Sequence, residues 1–205
     1  MFLNSSMVVA TMMIAGLLGH PVNYADGAMA YNHHRYAEAR NLFLNAAKAG
    51  DVKSMLMLGL MYDNGMGDKR DASVAFYWYS QAAAAGDSRA MFNLYQMLEE
   101  GDGTYVDRKE ATAWLEKSAE NGFPEAQFRW AQVLHAGERL PRDDESALMW
   151  LEIVSQIDVG GVEQAIQLRD QLRLELDDAV VSRAKQRAKH WRVTHATSNA
   201  ALIEV

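Results

Sequence analysis

The side chains of this 205-residue sequence on which acid–base or metal chemistry would be built are 27 carboxylates and 6 histidines, and there is no cysteine. Without cysteine, disulfide staples, thiol nucleophiles and thiolate metal sites are excluded. His33 and His34 are adjacent. Neighbouring helical positions do not share a face, so the two rings make a poor metal pair, and they read as polar residues of a short connection. His135 and His190 have no visible partner at a useful spacing. No phosphate loop, nucleophile elbow or HExxH motif is present. Gly65-Met66-Gly67 and Gly101-Asp102-Gly103 follow helical segments instead of strands, so they are expected to end helices. Glu99, Glu100 and Asp102 are a conceivable acid–base group. Charges at a helix end are more simply a solvated surface. The expectation is a chain with no catalytic residues, no cofactor and no metal.

The elements that hold these residues are set by a period. Ala49-Gly50-Asp51, Ala85-Gly86-Asp87 and Asn121-Gly122-Phe123 lie 36 residues apart. The same step aligns Trp78, Trp114 and Trp150; Ala75, Ala111 and Ala147; Asp71, Asp107 and Asp143; Gly65, Gly101 and Gly137; and the small residues Ser54, Ala90 and Ala126. Each unit reads as two helices. The first covers about Val52–Asp63, Ser88–Glu99 and Pro124–His135, with an i, i+4, i+8 stripe such as Ala90, Leu94 and Leu98. A connection of constant length follows, from Asp63 to Asp71 in the first unit. The aligned aspartates are placed to N-cap the second helices, which run about Asp71–Ala84, Asp107–Glu120 and Asp143–Ser155. Gly86 and Gly122 then stop them. One helical hairpin cannot bury such a face, but stacked hairpins can. The aligned tryptophans are expected to fill that core, so that Trp114→Ala opens a cavity worth about 3–5 kcal/mol.

The expected architecture is therefore all-α, a right-handed α-solenoid of helix-turn-helix repeats with capping helices at both ends. Residues 51–156 form three repeats. Residues 26–50 form an N-terminal cap, in which Ala39, Leu42 and Phe43 stand 36 positions before Ala75, Trp78 and Tyr79. Its connection is shortened to Asn32-His33-His34. Residues 157–193 form a C-terminal cap out of register with the repeats, its last helix starting at Asp177 or Asp178 and ending near Trp191. Residues 194–205 are expected to be a loose tail. Val8 to Leu18 is an apolar run of 11 residues, too short for a bilayer span of about 20. It fits the core of an export signal over residues 1–25, cut after Ala25, although no Lys or Arg precedes Arg35. A buried N-terminal helix is the other reading of that run.

These residues resemble the Sel-1-like repeat family, a relative of the tetratricopeptide repeats. The first unit carries almost the whole pattern: Ser54, Leu58, Gly59, Tyr62, Gly65, Gly67, Asp71, Ala75, Trp78, Ala82, Ala83 and Gly86. The second has Tyr95 where the family prefers Gly and Leu98 where it prefers Tyr. The third departs at Trp130, Arg139 and Asp158. The resemblance implies a scaffold or adaptor that binds other proteins, often in bacterial envelopes or signalling assemblies. It does not extend to the cysteine-stapled branch of the family.

The partner surface is expected on the first helices, which in a solenoid line the concave face. The slots off the buried stripe are Lys53, Met57, Leu60 and Asn64; then Arg89, Asn93, Gln96 and Glu100; then Glu125, Arg129 and Gln132. They would take another protein or peptide. The net charge of −7 and the acidic first 162 residues argue against nucleic acid, since phosphate contacts need clustered cations. Stable membrane insertion of the mature chain is not expected. The last helix, with Arg183, Lys185, Arg187, Lys189 and Arg192, could face an acidic partner or an anionic surface. Its simpler role is a cap with a polar outer side. The leading function is a non-catalytic protein-binding scaffold, periplasmic or secreted. The alternatives are a cytoplasmic or membrane-attached adaptor, and a cell-wall-directed hydrolase or glycan-binding module. A deep pocket with paired carboxylates of shifted pKa would favour a hydrolase.

Overall fold

The structure is a computed structural model that describes residues 24–157 and 162–200, with side chains to residue 195. Among the described residues all regular structure is helical. The chain forms two compact units, divided between Ala85 and Gly86.

The first unit contains α1 (Tyr24–Asn32), α2 (Tyr36–Lys48), α3 (Val52–Asp63) and α4 (Ala72–Ala84). Phe43, Leu58, Met61 and Tyr79 are buried almost completely. Two glycines allow the large rings in. A Cβ on Gly27 would lie 2.5 Å from the Phe43 ring, and one on Gly59 would lie 2.4 Å from the Tyr79 ring. The two contacts are equivalent parts of successive hairpins, offset by the shortened α1–α2 connection. That connection turns at His34, whose φ is +57°, with its Nδ1 2.8 Å from the Tyr36 hydroxyl. The export signal expected over residues 1–25 lies almost entirely outside the described residues. Ala25, the residue before the expected cut, belongs to the first turn of α1.

The second unit contains α5 (Ser88–Glu100), α6 (Arg108–Glu120), α7 (Pro124–Ala136), α8 (Asp144–Val154), α9 (Val162–Glu175) and α10 (Asp178–Ala200). The repeat helices of both units fall within a residue or two of their expected ranges. Asp71, Asp107 and Asp143 accept N–H bonds from the first turns of α4, α6 and α8. The constant connection length has a backbone cause. The N–H of each capping aspartate donates to the carbonyl nine residues earlier, at Tyr62, Leu98 and Leu134, each at 3.0 Å. Asp51 and Asp87 cap α3 and α5 in the same way. Phe123 stands at the third such position and offers no side-chain cap. Pro124 follows at N1, where a missing N–H costs little.

The tryptophan column is only part of the core. Trp150 is 6% exposed, but Trp78 and Trp114 are half-buried. The Trp114 indole donates to Glu110 on its own helix and carries the Lys117 ammonium over its face. Residues buried in every hairpin stand one position later, at Phe43, Tyr79, Leu115 and Leu151, none more than 1% exposed. The expected cavity cost therefore belongs to Leu115, not Trp114.

The C-terminal cap consists of two helices that do not follow the repeat register. Arg173 on α9 holds the buried Glu152 carboxylate of α8 at 2.8 and 2.7 Å. Arg192 on α10 donates to the Glu152 carbonyl at 2.9 Å. The last helix does not end near Trp191. It continues to Ala200, and the His195 ring stacks on the Trp191 indole at 4.0 Å. Residues 194–200 of the expected loose tail lie in this helix, and residues 201–205 lie outside the described residues.

Candidate binding surfaces

In the first unit, Lys53 and Asn64 are exposed on α3 and beside its end, while Met57 and Leu60 are half-buried. Met57 packs against the cluster that contains Phe43 and Leu58. The Asn64 amide donates back to the Leu60 carbonyl. Methionine at this slot therefore supports the core as well as the surface.

In the second unit, Arg89, Gln96 and Glu100 on α5 and Glu125 and Arg129 on α7 are exposed; Asn93 and Gln132 are half-buried. The Arg129 guanidinium donates to the Tyr95 hydroxyl at 2.8 Å and to the Gln132 side-chain amide oxygen Oε1 at 3.2 Å. Both acceptors are neutral, so an oriented cation keeps its charge uncompensated by these bonds. Tyr95, where the family prefers Gly, supplies the anchor. Arg129 and Gln132 line an open cleft of about 380 Å³ with His135, Arg139 and Leu168 of α9. Arg139 forms a bidentate pair with Glu99, which accounts for one carboxylate of the conceivable acid–base group.

His135 does have a partner. Its Nδ1 lies 2.7 Å from Asp144 Oδ1, and Arg142 Nε donates to the other oxygen of the same carboxylate at 2.8 Å. The histidine closes the end of α7 and the aspartate opens α8, nine residues on, so the fixed connection brings them together. The signal was the connection length, which sequence spacing alone did not tie to a side-chain pair.

A second open cleft, of about 610 Å³, lies between α6, α7, α8 and α10. Trp130, Trp150 and Trp191 line it, with Glu116 and Glu120. Burial pushes the Glu116 carboxyl above its usual range, and the Glu120 charge adds to the shift. Trp130 occupies the slot held by Leu58 and Leu94 in the earlier repeats. Neither the tryptophan cluster nor this carboxylate pair was found from the sequence, because Trp191 comes from a helix outside the repeat register.

The basic last helix spends three of its cations internally. Arg183 donates to the Glu145 carboxylate at 2.9 and 2.7 Å, and Arg187 reaches Glu145 and the Ser146 hydroxyl. Arg192 is held by the Glu152 carbonyl. The Arg183 bonds hold the Glu145 carboxyl below its ordinary range. At Asp143, burial acts to raise the carboxyl, but bonds from Ser146 and the Arg187 charge outweigh it and keep it low. Lys185 and Lys189 remain exposed. The cap role accounts for these arginines, and it leaves a membrane-facing basic stripe with two of its five cations.

Paired helices on a 36-residue period, with buried small residues on one side and polar slots on the other, define an α-solenoid repeat protein. The Sel1 repeat family profile matches residues 17–51, 52–87, 88–123 and 124–153, and the chain belongs to that family. The profile counts four repeats, not three. Its first includes the α1–α2 hairpin taken from the sequence as a cap, and the Gly27–Phe43 contact shows why that hairpin qualifies. No curated protein matches the chain in sequence. Among solved structures, c5321, a protective antigen present in uropathogenic Escherichia coli strains and displaying an SLR fold, is similar at 25% identity and a TM-score of 0.66 over 82% of this chain. A Sel1 repeat protein from Oxalobacter formigenes is similar in fold, at 24% identity and a TM-score of 0.64 over 80% of this chain. This chain spans 35% and 46% of those two proteins. Sel1 repeats mediate protein–protein interaction. Among the described residues no helix is long and apolar enough to cross a membrane.

Proposed function

We propose that this chain is a non-catalytic scaffold that captures another protein or peptide through the face carried by the first helices of its repeats, and that it acts in the cell envelope after export. The observation that carries the reading is Arg129. It is an exposed cation oriented by two neutral acceptors, on a helix whose other side is packed into the core. Holding a long side chain in one geometry costs entropy. That cost is offset if a partner's acidic group meets a preorganised guanidinium. Arg89, Gln96 and Glu100 offer exposed polar contacts on α5, and Lys53, Met57, Leu60 and Asn64 offer a more apolar set on α3. The apolar run Val8–Leu18 supports export.

Capture from the native organism tests the reading, with the full chain and an Arg89→Glu/Gln96→Ala/Arg129→Glu variant as baits. A partner held by the first and lost by the second, at unchanged thermal unfolding, supports it. A partner held equally by both contradicts it. Cell fractionation tests export separately: recovery of the chain from the cytoplasm favours the adaptor reading. Most glycoside hydrolases flank the scissile bond with two carboxylates. Glu116 and Glu120 lie one turn apart on the same side of α6, which does not supply that arrangement.

A further inference from the structure

We propose that the tryptophan-lined cleft of the second unit is a separate docking site for a lysine or arginine side chain presented by an extended segment of a partner protein. The site does not use the first-helix slots, although its Trp130 follows Arg129 on α7.

Three of the chain's five tryptophans line this one cleft. Trp130 and Trp150 are 5% and 6% exposed and form its walls. Trp191 is less buried and meets Trp150 edge-on, with centroids 5.6 Å apart and planes at 68°. His195, which also lines the cleft, stacks on Trp191 at 4.0 Å. Aromatic faces attract cations, most strongly when water is displaced.

The charge around the cleft selects the same sign. Arg187 and Asp143 on its rim are mutually balanced, and Arg187 is further held by Glu145 and Ser146. Glu116 and Glu120 remain. Among the described residues neither makes an ion pair, and they repel each other. Two unbalanced carboxylates beside indole faces form a receptor for an ammonium or guanidinium group.

The cleft also continues beyond the tryptophans. Glu116 and Trp130 line a neighbouring trough of about 500 Å³ that runs past Ala113 and Leu140 on mostly apolar walls; Arg108, Lys109 and Arg139 also line it, Arg139 being paired with Glu99. A segment that places its cation at Glu116 would lay an adjoining apolar side chain along this trough. That continuity favours a peptide segment over a free small cation.

The test uses the full chain labelled with 5-fluorotryptophan and followed by fluorine NMR. The probes are acetyl-Leu-Arg-Ala-Arg-Leu-amide and its counterpart with citrulline in place of arginine. The arginine peptide should shift the Trp130, Trp150 and Trp191 signals and leave Trp78 and Trp114 unmoved. Glu116→Gln/Glu120→Gln should weaken its binding about tenfold or more. A Glu163→Gln/Glu175→Gln variant, with the same charge change on the exposed side of α9, should stay within about twofold. Equal binding of the citrulline peptide, equal binding by Glu116→Gln/Glu120→Gln, or signals that do not move at the three tryptophans would each overturn the proposal. A loss of binding in Glu163→Gln/Glu175→Gln that matches the loss at the cleft would overturn it in favour of general attraction by an acidic surface.

Discussion

Trp114 and Leu115 are neighbours on α6 and divide two roles. Trp114 covers the hairpin from outside, braced by Glu110 and Lys117 of its own helix. Leu115 is fully buried. Leu115→Ala should lower stability by about 2–5 kcal/mol and Trp114→Ala by about half of that or less, measured by denaturant unfolding. The reverse order would return the core to the tryptophan column. Gly59→Ala should cost about 1–3 kcal/mol, because its methyl would enter the Tyr79 ring. Pairing it with Tyr79→Leu should recover part of the loss. The aligned tryptophans were legible because identity repeats are easy to see. The column one position on, Phe43, Tyr79, Leu115 and Leu151, changes residue type at each step, and only size and burial unite it. Register shows that positions are equivalent. It does not show which side of a helix is sealed.

At the scale of helices, the caps and the last helix carry the testable electrostatics. Asp87→Ala should cost about 1 kcal/mol, because the Ala90 N–H loses its acceptor at the start of α5. The docking of α10 on α8 should weaken in acid. Glu145 and Asp143 have folded pKa values below their ordinary ones. Their stabilising contribution is therefore present above the ordinary carboxylate values and lost as pH falls through the lowered ones. Trp150 and Trp191 fluorescence should report this release, and Glu145→Gln should remove much of its pH dependence. Glu116 has the opposite sign. Its raised pKa means that ionisation opposes folding, so Glu116→Gln should be at least as stable as the parent at neutral pH. That advantage should vanish once pH falls below the ordinary glutamate value. Unfolding midpoints across pH check both signs. The start and stop signals of the repeat helices were readable because aspartate caps and glycine ends act locally. The continuation of α10 to Ala200 was not, because the weak periodicity after Thr194 gave no sign of it.

Across the whole molecule, the period revealed the hairpins but could not show what gathers between non-repeating parts. The first-helix slots follow from the repeat and could be named in advance. The His135–Asp144 pair needed the connection folded, and the tryptophan cleft needed α10 placed on α8. The cleft lies where the chain departs from its own pattern, at Trp130 and in the C-terminal cap. Such departures are where a repeat scaffold acquires features of its own. The first-helix reading is tested most directly by site-specific photocross-linking in the native organism. A benzophenone amino acid is placed in turn at Arg89, Gln96 and Arg129, and at Gln81 and Lys185 as exposed controls. The account predicts a shared adduct from the first three positions and none from the controls. An adduct confined to Gln81 or Lys185, or none from the three first-helix positions while the partner is still captured, would contradict it.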